Sequence, residues 1–209
     1  MLEYYPIFLK LAGRKCLVVG GGSVAERKVQ ALARCGADIY IVSPQLSPGL
    51  KQMSDTGRIH HRAGFYHVTD LKDAFLVISA TDDDEANSAV AADCAAQNIA
   101  VNVVDDPERC SFVVPSVVHR GDFKLAISTG GNSPHLARII RQELECTYGP
   151  QFADFIDFLG RVRKQVLQTV SDPERRREIL NHLVDSDTLD MLKQGDLERA
   201  KERVEKCLS

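Results

Sequence analysis

The stretch from Lys15 to Lys28 reads KCLVVGGGSVAERK and decides the fold. An apolar run at residues 16–19 is followed by consecutive glycines and then by a segment with apolar residues at helical spacing. This order of strand, tight glycine turn and helix is typical of the first unit of a dinucleotide-binding domain. A glycine-rich turn that binds no ligand is the alternative.

Each small residue of the turn has a mechanical role in a dinucleotide site. Gly20 allows the tight turn, Gly22 lets the backbone approach a pyrophosphate, and Ala25 permits close packing of the helix on the strand. Backbone N–H groups at the helix start, together with the helix dipole, would hold the phosphates. The candidate cofactor-binding residues of this turn are Gly20, Gly21, Gly22, Ser23 and Val24.

The composition is that of a soluble globular protein. The chain has 209 residues, of which 44% are hydrophobic and 26% charged, and a formal net charge of -3. This charge does not attract a nucleic-acid backbone, and no apolar run approaches the roughly 18 residues that span a bilayer. We therefore expect a cytoplasmic protein without nucleic-acid or membrane partners. The cysteines form no Cys-x-x-Cys pair, so neither a disulfide framework nor a metal site is predicted.

Short β-branched runs alternate with segments of helical period up to about residue 104. This pattern predicts an α/β fold of the Rossmann type, a mostly parallel sheet with helices on its faces. The predicted strands are residues 16–19, 38–42, 58–62, 75–80 and 100–104, with predicted helices at residues 24–35 and 84–97.

The pattern changes after Pro107. Residues 112–118 and 124–128 around a Gly121-Asp122 turn predict a hairpin, and Ser133-Pro134 predicts a helix start. The remainder is predicted to be helical, at residues 152–170, from the Ser171-Asp172-Pro173-Glu174 sequence onward, and at residues 196–208. We expect domains at residues 1–113, 114–148 and 149–209.

Two further segments are expected at the cofactor edge of the sheet. The end of the second strand normally carries an acidic residue for the ribose, but this chain has Ser43, Pro44 and Gln45 there. A serine hydroxyl can still bond a ribose without repelling a 2′-phosphate, so these residues leave NAD and NADP open. After the fourth strand, Ala80, Thr81 and Asp82 are the candidates, whereas the next acidic residues, 83–85, are interpreted as the cap of a helix.

Asp105 is the candidate catalytic residue. It follows the fifth predicted strand at the same edge and could serve as a general base. A structural turn is an equal alternative for Asp105, and for Asp106, which precedes Pro107, the turn is favoured.

A second glycine loop opens the helix after the hairpin. Backbone donors, a helix N-terminus, Arg138 and Arg141 together predict an anion site for carboxylates or phosphates, and a well-capped helix without a ligand is the alternative. The candidate substrate-binding residues are Thr129, Gly130, Gly131, Asn132, Ser133 and Arg138.

Several stretches in this order carry a resemblance to a known family. They are YPIFL at residues 5–9, CLVVGGGSVAERK at 16–28, ATDD at 80–83, NVVD at 102–105, SFVVPS at 111–116, and STGGNSP at 128–134 with LAR at 136–138. Over essentially its whole length the chain resembles the precorrin-2 dehydrogenase and sirohydrochlorin ferrochelatase family, also found as the N-terminal part of longer siroheme synthases.

The resemblance implies that NAD accepts a hydride as precorrin-2 is oxidised to sirohydrochlorin and, in bifunctional relatives, that ferrous iron is then inserted. It also implies a homodimer with residues 114–148 as the dimerisation segment, and it matches Asp105 to the catalytic aspartate. The chain ends at Ser209 without the methyltransferase half, so we expect another enzyme to supply precorrin-2. A dehydrogenase without chelatase activity and an NAD-sensing module without chemistry are the alternatives.

Overall fold

The computed structural model describes residues 4–208 of the chain. It divides into a first compact unit that ends at Val114 and a second that begins at Pro115. Residues 1–3 and 209, where the expected first domain begins and the expected third domain ends, lie outside the described residues.

The first unit contains a five-stranded sheet in the order β3-β2-β1-β4-β5, and every neighbouring pair is parallel. This sheet, with helices on its faces, confirms the predicted Rossmann-type fold class. The elements are β1 (Lys15–Val19), α1 (Ser23–Arg34), β2 (Asp38–Val42), α2 (Pro48–Asp55), β3 (His60–Arg62), β4 (Leu76–Ser79), α3 (Asp84–Ala96) and β5 (Ala100–Val103), with 3₁₀ turns at Val68–Leu71 and Pro107–Arg109.

Alternate residues of β1 pack into separate cores on the two faces of the sheet. Cys16 and Val18 belong to the cluster that contains the buried residues of α1 and α2, whereas Leu17 and Val19 pack with α3. Burial on both faces explains why the strand sequence is a continuous apolar run. It also fixes the turn after β1 in place, because the strand that leads into it is fully buried.

Two elements of the first unit differ from the sequence-based expectation. Helix α2 was not predicted, although Ser47 caps it and Pro48 occupies its first turn. The third strand covers only His60–Arg62 rather than residues 58–62, because its sole partner is β2 at the edge of the sheet.

The second unit begins with an antiparallel hairpin and continues as helices. The elements are β6 (Ser116–Arg120), β7 (Phe123–Ile127), α4 (Pro134–Thr147), α5 (Gln151–Thr169), α6 (Pro173–His182), α7 (Ser186–Lys193) and α8 (Leu197–Lys206). The predicted hairpin and the predicted helix start at Ser133-Pro134 are confirmed. Helix α7 was not predicted, and the first hairpin strand begins at Ser116 rather than at residue 112.

Helices α5, α6, α7 and α8 share a core that is separate from those of the first unit. Phe152 and Phe155 of α5 are almost fully buried in it, together with Leu192 of α7 and Val204 of α8. Within residues 4–208, no helix has the length and apolar character that crossing a membrane requires.

Candidate functional site

The turn after β1 is held against the neighbouring strand end. Gly20 has φ of +113°, and a Cβ atom at this position would lie 2.7 Å from the carbonyl carbon of Ala80 and 3.1 Å from the amide nitrogen of Thr81. Only glycine accepts this combination of left-handed backbone and close approach. The first glycine therefore brings the turn directly against the segment that follows β4.

Gly21 packs on the opposite side of the turn, against the segment that follows β2. A Cβ atom there would lie 2.6 Å from Ser43 Oγ and would also collide with the carbonyl oxygen of Gln45. The amide of Ser47 donates to the carbonyl oxygen of Gly21 over 2.7 Å. The predicted groups after β1, β2 and β4 thus meet at the carboxyl edge of the sheet, where such folds bind nucleotides.

Gly22 differs from Gly20 and Gly21 because no contact within the described residues explains why it is glycine. Its φ of -84° is ordinary for any residue, and a Cβ atom there would have no atom of residues 4–208 within 4 Å, its chain neighbours aside. As the N-cap of α1 it supplies no side chain to the first-turn amides, which include those of Ser23 and Val24. An open backbone with uncapped amides fits the close approach of a dinucleotide pyrophosphate.

The segment after β2 is more enclosed than expected. Ser43 is buried, and its hydroxyl donates to the carbonyl oxygen of Gln45 over 2.7 Å. The hydroxyl proton is therefore used within the protein, and Ser43 can offer a ribose only its acceptor lone pairs.

A cavity of about 390 Å³ lies beside this segment and contains residues that sequence reasoning missed. Pro44 and Gln45 line it together with Leu46, Lys51, Ser54, Asp55 and His61. Lys51, Ser54 and Asp55 come from α2, so the signal for them was the Ser47-Pro48 helix start. The cavity is a candidate place for the adenosine end of the cofactor.

The segment after β4 is tied to the start of α3. Asn87 donates to the carbonyl oxygen of Thr81 over 3.1 Å and accepts from the hydroxyl of buried Ser79 over 2.7 Å. Thr81 is half-buried, whereas Asp82 is exposed. Asp83 accepts from the amide of Ala86 as the cap of α3, so the capping interpretation of residue 83 is confirmed.

Asp105 has an unusual backbone. Its φ is +62°, and the other described non-glycine residues with positive φ are Asp73 and Asn98. Those two lie just beyond helical segments, where a left-handed residue commonly ends the helix. Asp105 instead follows strand β5, and strained backbone of this kind is concentrated at functional sites.

The carboxylate of Asp105 is exposed and, among residues 4–208, has no hydrogen-bond or ion-pair partner. By contrast, Asp106 accepts from the amide of Arg109 and pairs with its guanidinium group over 3.1 Å, which confirms the turn interpretation of Asp106. Burial lowers the pKa of the Lys28 ammonium group, and the charge of Arg27 adds to this, whereas Asp105 acts in the opposite direction. Lys28 of α1 therefore lies within electrostatic reach of Asp105.

The second glycine loop uses several of its own backbone donors within the chain. The amide of Ser133 donates to Thr129 Oγ1 over 3.0 Å, and both the amide and the side chain of Asn132 donate to the carbonyl oxygen of Thr129. The amide of Gly130 donates to Ser128 Oγ over 3.1 Å. The loop thus uses these donors within the chain, and the predicted anion site stays a prediction.

The arginines that follow this loop have different surroundings. Arg141 is half-buried and pairs with Glu145 over 2.5 Å. Arg138 is exposed and, among residues 4–208, forms one hydrogen bond, with Nδ1 of His135 over 3.1 Å, and no ion pair. Of the two, Arg138 keeps its charge available for an anion.

The structure defines a dinucleotide-binding protein of the Rossmann type, and comparison with known proteins agrees. Residues 7–116 match a family model described as "Putative NAD(P)-binding". Residues 120–146 match the central region of a sirohaem biosynthesis protein, and residues 151–208 match the sirohaem synthase dimerisation region. The chain belongs to this family of NAD(P)-binding sirohaem biosynthesis proteins.

Individual relatives extend the match over the whole chain. A siroheme synthase of Methylobacillus flagellatus is 40% identical over 208 residues, which is 100% of this chain and 44% of that protein. A siroheme synthase of Nitrosococcus oceani is 36% identical over 99% of this chain and 44% of its own length. The chain thus spans less than half of these relatives. A solved structure of SirC, precorrin-2 dehydrogenase, is 27% identical, with a TM-score of 0.77 over 97% of this chain and 100% of that one.

Proposed function

We propose that the chain catalyses the NAD-dependent oxidation of precorrin-2 to sirohydrochlorin in siroheme biosynthesis. The family membership, the relatives named siroheme synthase and the similar structure named precorrin-2 dehydrogenase support this function. The observation that carries the proposal is the free carboxylate of Asp105 on left-handed backbone, at the same sheet edge as the open turn at Gly22.

The turn after β1 fits NAD, which supplies a hydride acceptor when bound. We assign the pyrophosphate to the open backbone at Gly22 and to the amides at the start of α1, because neither a side chain nor a cap occupies that space. The remaining cofactor contacts are assigned to the two adjoining segments. The full set is Gly20, Gly21, Gly22, Ser23, Val24, Ser43, Pro44, Gln45, Ala80, Thr81 and Asp82.

Asp105 acts as the general base. Precorrin-2 gives up a hydride and a proton when it becomes sirohydrochlorin, and the carboxylate of Asp105 accepts the proton. Since this carboxylate is exposed and unpaired among the described residues, it is available to a substrate without first breaking an ion pair.

The second unit supplies groups for the substrate carboxylates. Arg138 carries the strongest part of this assignment, because its guanidinium group is exposed and forms no ion pair with any described residue. The residues assigned to the substrate are Thr129, Gly130, Gly131, Asn132, Ser133 and Arg138. Replacement of Arg138 by alanine is expected to raise KM for precorrin-2 and to leave the Kd for NAD unchanged.

We further propose that the chain is a cytoplasmic homodimer. The match of residues 151–208 to a dimerisation region supports the dimer. The NAD-binding domain is assigned to residues 1–113, the dimerisation segment to residues 114–148 and the helical domain to residues 149–209.

Insertion of ferrous iron into sirohydrochlorin is a second candidate activity. The relatives are named for the synthesis of siroheme, an iron tetrapyrrole, and the free carboxylate of Asp105 could accept the pyrrole protons that iron displaces. Iron would be a substrate here, and among residues 4–208 no group of His, Cys, Asp and Glu side chains is placed to hold a metal ion. The test is the rate of siroheme formation from sirohydrochlorin and ferrous iron, compared between the wild type, Asp105→Asn and buffer alone.

The visible spectrum of precorrin-2 with NAD, recorded anaerobically with and without the protein, tests the dehydrogenase directly. Growth of the sirohydrochlorin spectrum only in the presence of both protein and NAD is expected. An NAD-sensing module would bind NAD and leave the spectrum unchanged, and that result would reject the proposal.

A further inference from the structure

The turn that carries Asp105 is bridged by one sulfur atom. The amide of Val103 donates to Cys110 Sγ over 3.2 Å, and Asn102 Nδ2 donates to the same atom over 3.3 Å. The carbonyl oxygens of Val103 and Asp106 lie 3.2 Å and 3.1 Å from this sulfur, as acceptors for the thiol proton. Cys110 thus contacts the chain on both sides of Asp105.

We propose that Cys110 is a positioning residue, which holds Asp105 in its left-handed conformation and so places the base for proton transfer. This inference rests on the proposed function, because the position of Asp105 matters for proton transfer only if the chain is a dehydrogenase. Cys110 itself contacts no substrate in this assignment.

The surroundings of the thiol suit this role. Burial raises the pKa of the Cys110 thiol, so the sulfur stays protonated near neutral pH and remains both a donor and an acceptor. Asn102 is buried and also donates to the carbonyl oxygen of Phe112 over 3.0 Å. This second hydrogen bond fixes the Asn102 side chain that donates to the sulfur. The hydrogen bonds of Cys110 and Asn102 therefore connect the end of β5, the turn at residues 104–106 and the segment at Phe112.

Left-handed backbone at a non-glycine residue is unfavourable and persists only where the surroundings impose it. Since the side chain of Asp105 forms no hydrogen bond or ion pair with the described residues, we look for the restraint among its neighbours. One direct restraint is the hydrogen bond from the amide of Asp106 to the carbonyl oxygen of Val103, over 3.3 Å. The thiol adds contacts on both sides of that turn.

The test compares Cys110→Val, which keeps a similar apolar volume without hydrogen bonds, with Cys110→Ser, which keeps a donor and an acceptor. Cys35→Ala is the matched control, because Cys35 is an exposed cysteine of the same unit. Each variant is assayed for kcat in NAD-dependent precorrin-2 oxidation, Kd for NAD, and the amide resonances of residues 104–106.

We expect Cys110→Val to lose kcat by about tenfold or more, since misplacing a catalytic group by ~1 Å costs on the order of 10²-fold. Its Kd for NAD should be unchanged and its resonances at residues 104–106 should shift. Cys110→Ser should recover most of kcat, and Cys35→Ala should equal the wild type.

Wild-type kcat in Cys110→Val, or equal losses in the serine and valine variants, would overturn the positioning role while leaving the dehydrogenase intact. Absence of turnover in the wild type would instead reject the proposed function. In that case, unshifted amide resonances in Cys110→Val would also reject the proposal that Cys110 restrains the backbone at residues 104–106.

Discussion

The carbonyl carbon of Ala80 would lie 2.7 Å from a Cβ atom on Gly20, whereas a Cβ atom on Gly22 would meet no non-neighbouring atom of the described residues within 4 Å. Gly20 and Gly22 are therefore glycine for different reasons. Gly20 is required by the fold, since its φ is +113° and the next strand end is in contact with it. At Gly22 no steric contact within the described residues requires a glycine, which is why we assign it to the cofactor.

Replacement of Gly22 by alanine should lower the stability by no more than about 1 kcal/mol, because alanine is a poorer N-cap than glycine, but should weaken NAD binding. The added methyl group would occupy the space assigned to the pyrophosphate, and a loss of ~1.4 kcal/mol corresponds to about a tenfold rise in Kd. Titration calorimetry and thermal unfolding measure the two effects separately. Wild-type affinity in Gly22→Ala would reject the assignment.

Two other glycine variants serve as controls for that experiment. Gly20→Ala should destabilise the fold by about 1–3 kcal/mol, because it adds a collision to strained backbone. Gly160→Ala, in open space within α5, should stabilise the chain by up to about 1 kcal/mol without affecting NAD.

Replacement of Asp105 by asparagine should abolish turnover and preserve the structure. Asparagine tolerates left-handed backbone as aspartate does, but it cannot take up a proton, so a loss of about 10²–10⁴-fold in kcat is expected. Kd for NAD should not change. A variant that keeps full kcat would show that the base lies elsewhere.

Replacement of Asp105 by glycine tests the strain at this position. Glycine removes the cost of a positive φ but loses more conformational entropy on folding, so the net gain in the free energy of unfolding should be at most about 1 kcal/mol. The variant should be inactive. A clear loss of stability would contradict the idea that the native backbone is strained there.

The buried thiols of the first unit should resist modification. Burial raises the pKa of the Cys16 and Cys94 thiols to about 11, so on the order of one molecule in a thousand carries either thiolate at pH 8. Cys35, which is exposed, should react with a disulfide reagent first. Peptide mapping after brief labelling gives the order, and rapid labelling of Cys16 in the folded protein would contradict it.

The link between α7 and α8 should make the second unit sensitive to acid. The guanidinium group of Arg203, with further hydrogen bonds from Thr188, holds the pKa of the Asp185 carboxyl well below its usual range. The stabilisation is therefore present above the unfolded pKa of about 3.9 and is lost as pH falls through that region toward the folded value.

Asp185→Asn should accordingly lower the melting temperature near neutral pH, and its difference from the wild type should shrink as the pH falls below about 4. The matched control is Asp190→Asn. Asp190 is exposed, and its carboxylate oxygen lies 3.8 Å from Nζ of Lys193, so this replacement should have little effect. A difference between Asp185→Asn and the wild type that is constant with pH would show that the carboxylate charge is not responsible.

Local sequence signals predicted much of this architecture. The apolar run at residues 16–19 predicted β1 because both faces of that strand are buried, and Ser133-Pro134 predicted α4 because capping is a local interaction. The same Ser-Pro signal at Ser47-Pro48 was missed; Gly49 follows it, and a Cβ atom there would collide with the carboxylate of Glu26. That contact is tertiary and leaves no mark in the local sequence.

The candidate site, too, could be predicted only in part from the sequence. Asp105 could be selected by its place after the fifth strand, but its left-handed backbone and the Cys110 contacts depend on residues that meet only in the folded chain. The sequence left an anion site and a well-capped helix open for the loop at Gly130, and in the structure the amides of Gly130 and Ser133 donate within the loop. Both features depend on hydrogen bonds between residues that are close in the chain but that form only in the folded turn geometry.

Single-turnover formation of NADH tests the central claim most directly. The wild type and Asp105→Asn are each saturated with NAD and mixed anaerobically with limiting precorrin-2. The proposed mechanism predicts that the wild type forms NADH and sirohydrochlorin in equal amounts, whereas Asp105→Asn binds NAD and forms neither at a comparable rate. No NADH above the protein-free control in the wild type, or equal rates in the two proteins, would contradict it.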